Sequence, residues 1–167
     1  HTDVTFDADY PKVSVLRALT IPAQGGDTVW ANTAAAYNEL PAELRALADT
    51  LWAVHGNDYD YDYAATRVES ADDHGAKHYR EVFTSRLIEA QHPLVRVHPE
   101  TGRTALYVSP GYTIGIEDMA DAEAQPLLME LFRHQVREAF IYRHRWQAGM
   151  LLMWDNRCVI HAATGGY

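Results

Sequence analysis

Short strand-like segments separated by turn signals constrain the fold of this 167-residue chain more than any other feature. Each segment is rich in β-branched and apolar residues, which favour extended backbone, and Pro or Gly stands close to most of their ends. The segments are 12–21, 27–31, 94–98, 103–108, 139–146 and 150–155. A Pro-Glu-Thr-Gly sequence predicts a hairpin between the third and fourth segments, and a Gln-Ala-Gly turn lies between the last two. Strands therefore dominate, and an antiparallel core is predicted.

Three helices are predicted among these strands. Segment 33–40 has Thr33 as a candidate N-cap, and segment 41–52 carries leucines at helical spacing. Segment 121–137 has the clearest helical pattern, because its leucines recur on one face. Strands with inserted helices predict an α+β fold, and the length suits a single domain over residues 1–167.

The charge and cysteine content exclude several classes of protein. The 14 Lys and Arg residues against 23 Asp and Glu residues give a net charge of −9, and no basic stripe is available for nucleic-acid phosphates. No apolar run approaches the roughly 20 residues that cross a bilayer, and no signal-peptide pattern opens the sequence. Cys158 is the single cysteine, so no intramolecular disulfide is possible. We therefore expect a cytoplasmic protein with neither nucleic-acid nor membrane partners.

The first three residues, His1-Thr2-Asp3, form part of a candidate metal site. On a strand, residues i and i+2 point to the same face, so the imidazole and the carboxylate can converge on one ion. His161 follows the apolar segment 150–155 and can supply a third ligand. Two imidazoles and one carboxylate leave the opposite coordination positions open, which suits non-haem Fe(II). Taken alone, a His-x-Asp pair is common by chance, and a single histidine is more often structural.

Three blocks of sequence carry a resemblance to a known family. They are His-Thr-Asp-Val-Thr-Phe at 1–6, Gly-Gly-Asp-Thr-Val-Trp at 25–30, and Trp-Asp-Asn-Arg at 154–157 followed by His161. Together they resemble the taurine dioxygenase family of Fe(II)- and 2-oxoglutarate-dependent oxygenases, which includes taurine, alkylsulfate and phenoxyalkanoate dioxygenases. The resemblance implies a double-stranded β-helix (jelly-roll) core with inserted helices, which we expect to be incomplete at both ends of this chain.

The resemblance also implies roles for individual residues. His1, Asp3 and His161 would be the iron ligands, with 2-oxoglutarate and O₂ as co-substrates. Thr28 would hydrogen-bond the distal carboxylate of 2-oxoglutarate, a role that suits a hydroxyl donor. The family also clamps this carboxylate with an arginine, which we expect beyond Tyr167.

The resemblance also implies three residues that border the substrate. They are Val4, Tyr112, which stands where the taurine enzyme has Phe, and Tyr61 in the long loop that follows His55. We predict hydroxylation of a small organic acid, first a sulfonate or alkyl sulfate, with release of sulfite or sulfate, succinate and CO₂. The alternatives are a phenoxyalkanoate or other carboxylate, or a non-catalytic, cupin-like metal-binding barrel, although cupins generally use His-x-His. We also expect a small anionic substrate and a homo-oligomer.

Overall fold

The computed structural model describes residues 1–58 and 86–166, and within them the chain forms both helices and strands. The strands are β1 (Val13–Arg17), β2 (Thr28–Asn32), β3 (Trp52–Gly56), β4 (Glu89–Pro93), β5 (Val95–Val97), β6 (Thr104–Leu106), β7 (Thr113–Ile116), β8 (Ile141–His144), β9 (Leu151–Asp155) and β10 (Val159–Ala163). The α-helices are α1 (Thr33–Asn38), α2 (Ala42–Ala48) and α3 (Asp121–Gln135), and a 3-10 helix covers Glu138–Phe140. The predicted mixture of helix and sheet is confirmed.

Antiparallel pairing joins the strands into two three-stranded sheets and two ribbons. The first sheet has the order β10-β2-β8 and the second has the order β4-β3-β7, while the ribbons are β1-β9 and β5-β6. Every strand pair in the described ranges is antiparallel, as the sequence predicted. The first sheet places His161 opposite Trp30 and Ala163 opposite Thr28, so it brings two of the candidate site residues onto neighbouring strands.

The hydrophobic core forms where α3 packs against α1 and β7. Ala124, Leu128 and Leu131 are separated by four and three residues, so they share one face of α3, and all three are fully buried. Leu94 and Leu106 belong to the same buried cluster. Burial of each leucine contributes about 1.5–3 kcal/mol, which fixes the helices on the strands. No helix in this described part of the chain has the length and apolar character to span a membrane.

The prediction of a helix over 41–52 is wrong at its C-terminal end. Helix α2 ends at Ala48, and Trp52 instead begins β3, where it pairs with Pro93. The intervening residues form a turn in which the Leu51 N–H donates to the Ala48 carbonyl. Pairing with a strand distant in sequence therefore overrides the helical spacing of the leucines.

The predicted cap of α1 is also corrected. Asn32, not Thr33, caps α1, because its Oδ1 accepts hydrogen bonds from the N–H groups of Ala34 and Ala35 at 3.1 and 3.0 Å. Segments 139–146 and 150–155 contain β8 and β9, but β8 pairs with β2 and β9 pairs with β1. The predicted Gln-Ala-Gly turn therefore connects the first sheet to the β1-β9 ribbon.

Candidate metal centre

The two ends of the described chain are joined by backbone hydrogen bonds at the candidate site. The amino group of His1 donates to the His161 carbonyl at 2.8 Å, and the His161 N–H donates to the His1 carbonyl at 2.7 Å. Thr2 extends this pairing, since its Oγ1 donates to the Val159 carbonyl at 3.0 Å. Residues 1–3 therefore lie beside β10, and this backbone pairing brings the two candidate histidine ligands together.

The side chains of His1, Asp3 and His161 converge on one point. The two Nε2 atoms are 3.1 Å apart, and Asp3 Oδ1 lies 3.4 Å from His1 Nε2 and 3.3 Å from His161 Nε2. A single ion about 2.1 Å from each ligand atom requires separations of roughly 3.0 to 3.4 Å, for ligand angles between octahedral and tetrahedral. The structure thus brings together all three predicted ligands, and their donor atoms fit one transition-metal ion.

The Asp3 carboxylate is held in its anionic form. Burial opposes its ionisation, but hydrogen bonds with His1, His161 and Ser14 outweigh that effect and keep the pKa of Asp3 well below its usual range. Ser14 Oγ donates to Asp3 Oδ2 and itself accepts from Asn156 Nδ2 at 2.8 Å. Such outer contacts orient a ligand before an ion binds.

Aromatic rings surround His161. The centroid of the Trp154 ring lies 4.9 Å from that of the His161 ring. The Trp30 ring is stacked on the His161 ring, with 6.4 Å between the two centroids. Trp154 Nε1 also donates to Asn156 Oδ1 at 3.0 Å, so the ring is tied to the polar chain that reaches Asp3. Within the described ranges, His161 Nδ1 is buried without a hydrogen-bond partner. The site therefore holds the imidazole by packing on one side and by the contacts of Nε2 with His1 and Asp3 on the other.

Thr28 lies on the same sheet, two residues from Trp30 along β2. Its side chain is buried, and its Oγ1 accepts a hydrogen bond from Trp146 Nε1 at 2.9 Å. Since an indole N–H can only donate, the hydroxyl hydrogen of Thr28 stays free to donate elsewhere. His144 pairs with Thr28 across β8, and its Nε2 is buried without a partner among the described residues. This end of the sheet has unused hydrogen-bonding capacity among the described residues.

The predicted substrate-bordering residues have different outcomes. The Tyr112 ring lies 5.4 Å from the His1 ring and is buried. Val4 follows the ligand Asp3 directly and has a φ of +55°, in the left-handed region. Tyr61 lies outside the described residues. The structure therefore places Tyr112 and Val4 beside the candidate ligands.

Sequence reasoning missed several residues that shape the site. Ser14 lies between two valines in β1, and a polar residue in this apolar setting is a signal that it faces a polar partner. Gly111 approaches His1 so closely that an added Cβ would lie 2.8 Å from His1 Cβ. The bond from Trp146 to Thr28 spans 118 residues in sequence, and no local pattern announces it.

A second group of possible ligand atoms consists of His98, Asp155 and Cys158, all within 4.8 Å of one another. There the Asp155 carboxylate already binds Arg157, with Nη2 to Oδ2 at 2.6 Å, and accepts a hydrogen bond from His98 Nε2 at 2.9 Å. The Arg157 cation already pairs with both oxygens of the carboxylate that a metal ion would need. We therefore interpret this group as a structural network.

The fold and the site together define the class: an antiparallel, mixed helix-and-sheet protein in which two histidines and one aspartate can bind one ion. Comparison with known proteins agrees with this class. The chain belongs to the taurine catabolism dioxygenase TauD, TfdA family, whose sequence profile matches residues 1–167. The family resemblance predicted from the sequence is confirmed.

Two curated relatives match this chain over its whole length. The chain is 48% identical over 167 residues to an alpha-ketoglutarate-dependent sulfate ester dioxygenase of Pseudomonas putida, covering 100% of this chain and 54% of that protein. It is 41% identical to an alkylsulfatase of Acinetobacter baylyi, covering 100% of this chain and 51% of the relative. The chain thus spans about half the length of the curated relatives it matches.

A solved structure is also similar in sequence and fold. This is AAD-2 in complex with Mn(II) and N-oxalylglycine, which is 31% identical, with a TM-score of 0.78. The match covers 96% of this chain and 59% of that one.

Proposed function

We propose that the whole protein is an Fe(II)- and 2-oxoglutarate-dependent dioxygenase that hydroxylates a small organic acid, with sulfate esters of alkyl alcohols as the first substrate class and sulfonates next. The observation that carries the proposal is the convergence of His1, Asp3 and His161, whose ligand atoms lie within 3.4 Å of one another. The 48% identity to a sulfate ester dioxygenase supports the substrate class.

The proposed fold of the whole protein is a double-stranded β-helix, with residues 1–167 forming part of a single domain. The antiparallel sheets and the TM-score of 0.78 to AAD-2 support this assignment. A cytoplasmic location agrees with the single, unpaired Cys158. The homo-oligomer expected from the sequence stays a prediction.

Iron suits the donor set. Two imidazole nitrogens and one carboxylate oxygen on one side of an ion are the facial arrangement of non-haem Fe(II) oxygenases, and when bound the iron supplies the binding and activation of O₂. His1 and His161 would bind it through Nε2 in their neutral form, and Asp3 through its anionic Oδ1. Ser14 holds the carboxylate in orientation, because it donates to the second oxygen, and Asn156 in turn donates to the Ser14 hydroxyl.

Thr28 is proposed to bind the distal carboxylate of 2-oxoglutarate. Its position along β2 is two residues from the position opposite His161, a distance of about 7 Å in an extended strand. That spacing suits a ligand whose two carboxylates are separated by several bonds. Trp146 fixes the hydroxyl oxygen of Thr28, so its hydrogen can point at the ligand. N-oxalylglycine, present in the AAD-2 complex, carries the same two carboxylates and keto oxygen as 2-oxoglutarate.

Tyr112 and Val4 are proposed to contact the substrate beside the ligands. Both offer apolar surface, which suits an alkyl chain and excludes water from the reacting carbon. Hydroxylation of the carbon that bears the sulfate ester, with one oxygen atom from O₂, gives an unstable product. That product releases sulfate as its C–O bond breaks, and an aldehyde remains. The other oxygen atom enters succinate as 2-oxoglutarate loses CO₂.

The decisive experiment supplies the whole protein with Fe(II), 2-oxoglutarate, O₂ and hexyl sulfate. We expect succinate and sulfate in equal amounts, and no sulfate when 2-oxoglutarate is omitted. His161→Ala and Asp3→Ala should abolish both products. Asp9→Ala is the matched control for the second variant, because Asp9 is an exposed carboxylate in the same segment and should leave turnover unchanged.

Other outcomes would overturn parts of the proposal separately. Retained turnover in His161→Ala would refute the ligand assignment. Turnover of a phenoxyalkanoate or taurine with none of hexyl sulfate would refute the substrate class and keep the reaction. A binding module without catalysis would show no visible absorption band when Fe(II) and 2-oxoglutarate are added without oxygen.

A further inference from the structure

Two buried histidines hold Thr5, which lies two residues after the candidate ligand Asp3. His92 Nε2 donates a hydrogen bond to the Thr5 carbonyl at 2.8 Å, and His55 Nδ1 shares a hydrogen bond of 2.7 Å with Thr5 Oγ1. The exposed fractions are 1% for Thr5, 1% for His55 and 6% for His92, so bulk water does not compete for these bonds. We call His55 and His92 the Thr5 clamp.

The Thr5 clamp is built on the second sheet, β4-β3-β7. The register pairs Ala53 with His92 and His55 with Ala90, so both histidine side chains emerge on the same face of β3 and β4. Their rings meet edge to face at 5.2 Å, and Thr113 Oγ1 lies 3.4 Å from His55 Nε2 on the other side. The clamp is therefore rigid and belongs to a different sheet from His161.

The residue between Asp3 and Thr5 has strained backbone. Val4 has a φ of +55°, and a β-branched side chain strongly disfavours this left-handed conformation. Such a conformation persists only where the surrounding structure holds it in place. On one side, Thr2 is fixed by its hydrogen bond to the Val159 carbonyl on β10. On the other side, Thr5 is fixed by the clamp.

We propose that the Thr5 clamp holds Val4 in its strained conformation and thereby turns the Asp3 carboxylate towards His1 and His161. His55 and His92 are then positioning residues, since they touch Thr5 and not the ligand atoms. The second sheet thereby sets the orientation of the Asp3 carboxylate, while β10 carries the ligand His161. This inference rests on the metal centre proposed above.

The test measures the affinity of the full chain for Co(II), a spectroscopic stand-in for Fe(II), from its visible absorption. His92→Leu removes the donor to the Thr5 carbonyl, and we expect Co(II) affinity to fall about tenfold or more, as for other groups that orient metal ligands. His92→Gln is the matched control, because its side-chain amide can donate to the same carbonyl, and it should bind Co(II) nearly as the wild type does.

The substitution Val4→Gly distinguishes a loss of Asp3 orientation, caused by release of the strained Val4 backbone, from general damage to the fold. Glycine adopts a φ of +55° without a steric penalty, so the Asp3 orientation no longer depends fully on the clamp. Val4→Gly combined with His92→Leu should therefore recover most of the lost Co(II) affinity. A variant that had lost affinity through a disturbed core would gain nothing from this second change.

The remaining outcomes are equally decisive. Wild-type affinity in His92→Leu, or no recovery in the double variant, would overturn the proposal. If His92→Leu does not fold, Thr5→Val removes only the hydroxyl bound by His55, and unchanged Co(II) affinity in that variant would overturn it instead. No Co(II) binding by the wild type would refute the metal centre itself, so the two failures are distinct.

Discussion

Acidic pH should destabilise this protein through His55, and the size of the effect follows from its burial. The side chain is 1% exposed, and burial, followed by the nearby His92 and Arg96, lowers its pKa from 6.5 to about 3. Below pH 6.5 the unfolded chain binds a proton that the native imidazole does not bind. The free energy of unfolding is therefore unaffected by His55 above pH 6.5 and falls as the pH decreases towards about 3.

The magnitude follows from proton linkage. Each pH unit in this window costs about 1.4 kcal/mol per titrating group. A change from about pH 7.5 to about pH 5 covers about 1.5 pH units of this window. His55 alone should therefore lower the free energy of unfolding by about 2 kcal/mol. Because a domain is stable by only about 5–15 kcal/mol, such a loss is readily measured.

Urea unfolding at both pH values checks this prediction. In His55→Gln, the loss between the two pH values should be smaller by about 2 kcal/mol, with a remainder from His92, whose pKa burial also lowers. Thr113→Val is the control, because it removes the hydroxyl beside His55 and keeps the imidazole. It should lower stability at both pH values and preserve the pH-dependent loss. An identical loss in the wild type and His55→Gln would refute the reasoning.

Three further predictions concern stability. Leu131→Ala should cost about 2–5 kcal/mol in urea unfolding because Leu131 is fully buried, and a cost no larger than that of the half-buried Leu127→Ala would contradict this. Asn32→Ala should cost about 1 kcal/mol, since Asn32 caps α1, and an unchanged thermal midpoint would argue against the cap. Hydrogen bonds, foremost that from Arg157, hold the pKa of Asp155 below its usual 3.8, so its contribution is complete above that pH and is lost on further acidification. Asp155→Asn should flatten acid unfolding below about pH 4, and an unchanged acid transition would exclude the contribution.

The sequence predicts the elements of this fold better than their partners. The hairpin signal over 94–98 and 103–108 depends on adjacent residues, and β5 and β6 pair as predicted. The pairing of β1 with β9 joins segments more than 130 residues apart, and nothing in either segment specifies the other. The helix predicted over 41–52 failed at Trp52 for the same reason, because a distant strand decides its backbone.

In the candidate site, too, local features could be predicted from the sequence and long-range contacts could not. His1 and Asp3 are two residues apart, so their spacing alone predicts that they share a face. The apolar segment before His161 made it a candidate third ligand, and family motifs supported His161 and added Thr28. The supporting contacts could not be predicted. The bonds from Ser14 to Asp3 and from Trp146 to Thr28 depend on how separate segments meet. The position of Ser14 among apolar residues signals a polar partner, but nothing in the sequence specifies which partner.

The backbone pair between His1 and His161 has a consequence for folding. It joins positions 160 residues apart, which makes it among the slowest kinds of contact to form, because a long loop must close first. The three ligand atoms meet only when this contact exists, so a metal ion binds the folded chain and not partly folded chains. At a concentration about one hundred times its Kd, the ion would add about 2.7 kcal/mol to the native state alone. Metal uptake in a refolding experiment should accordingly be a late event that reports completion of the fold.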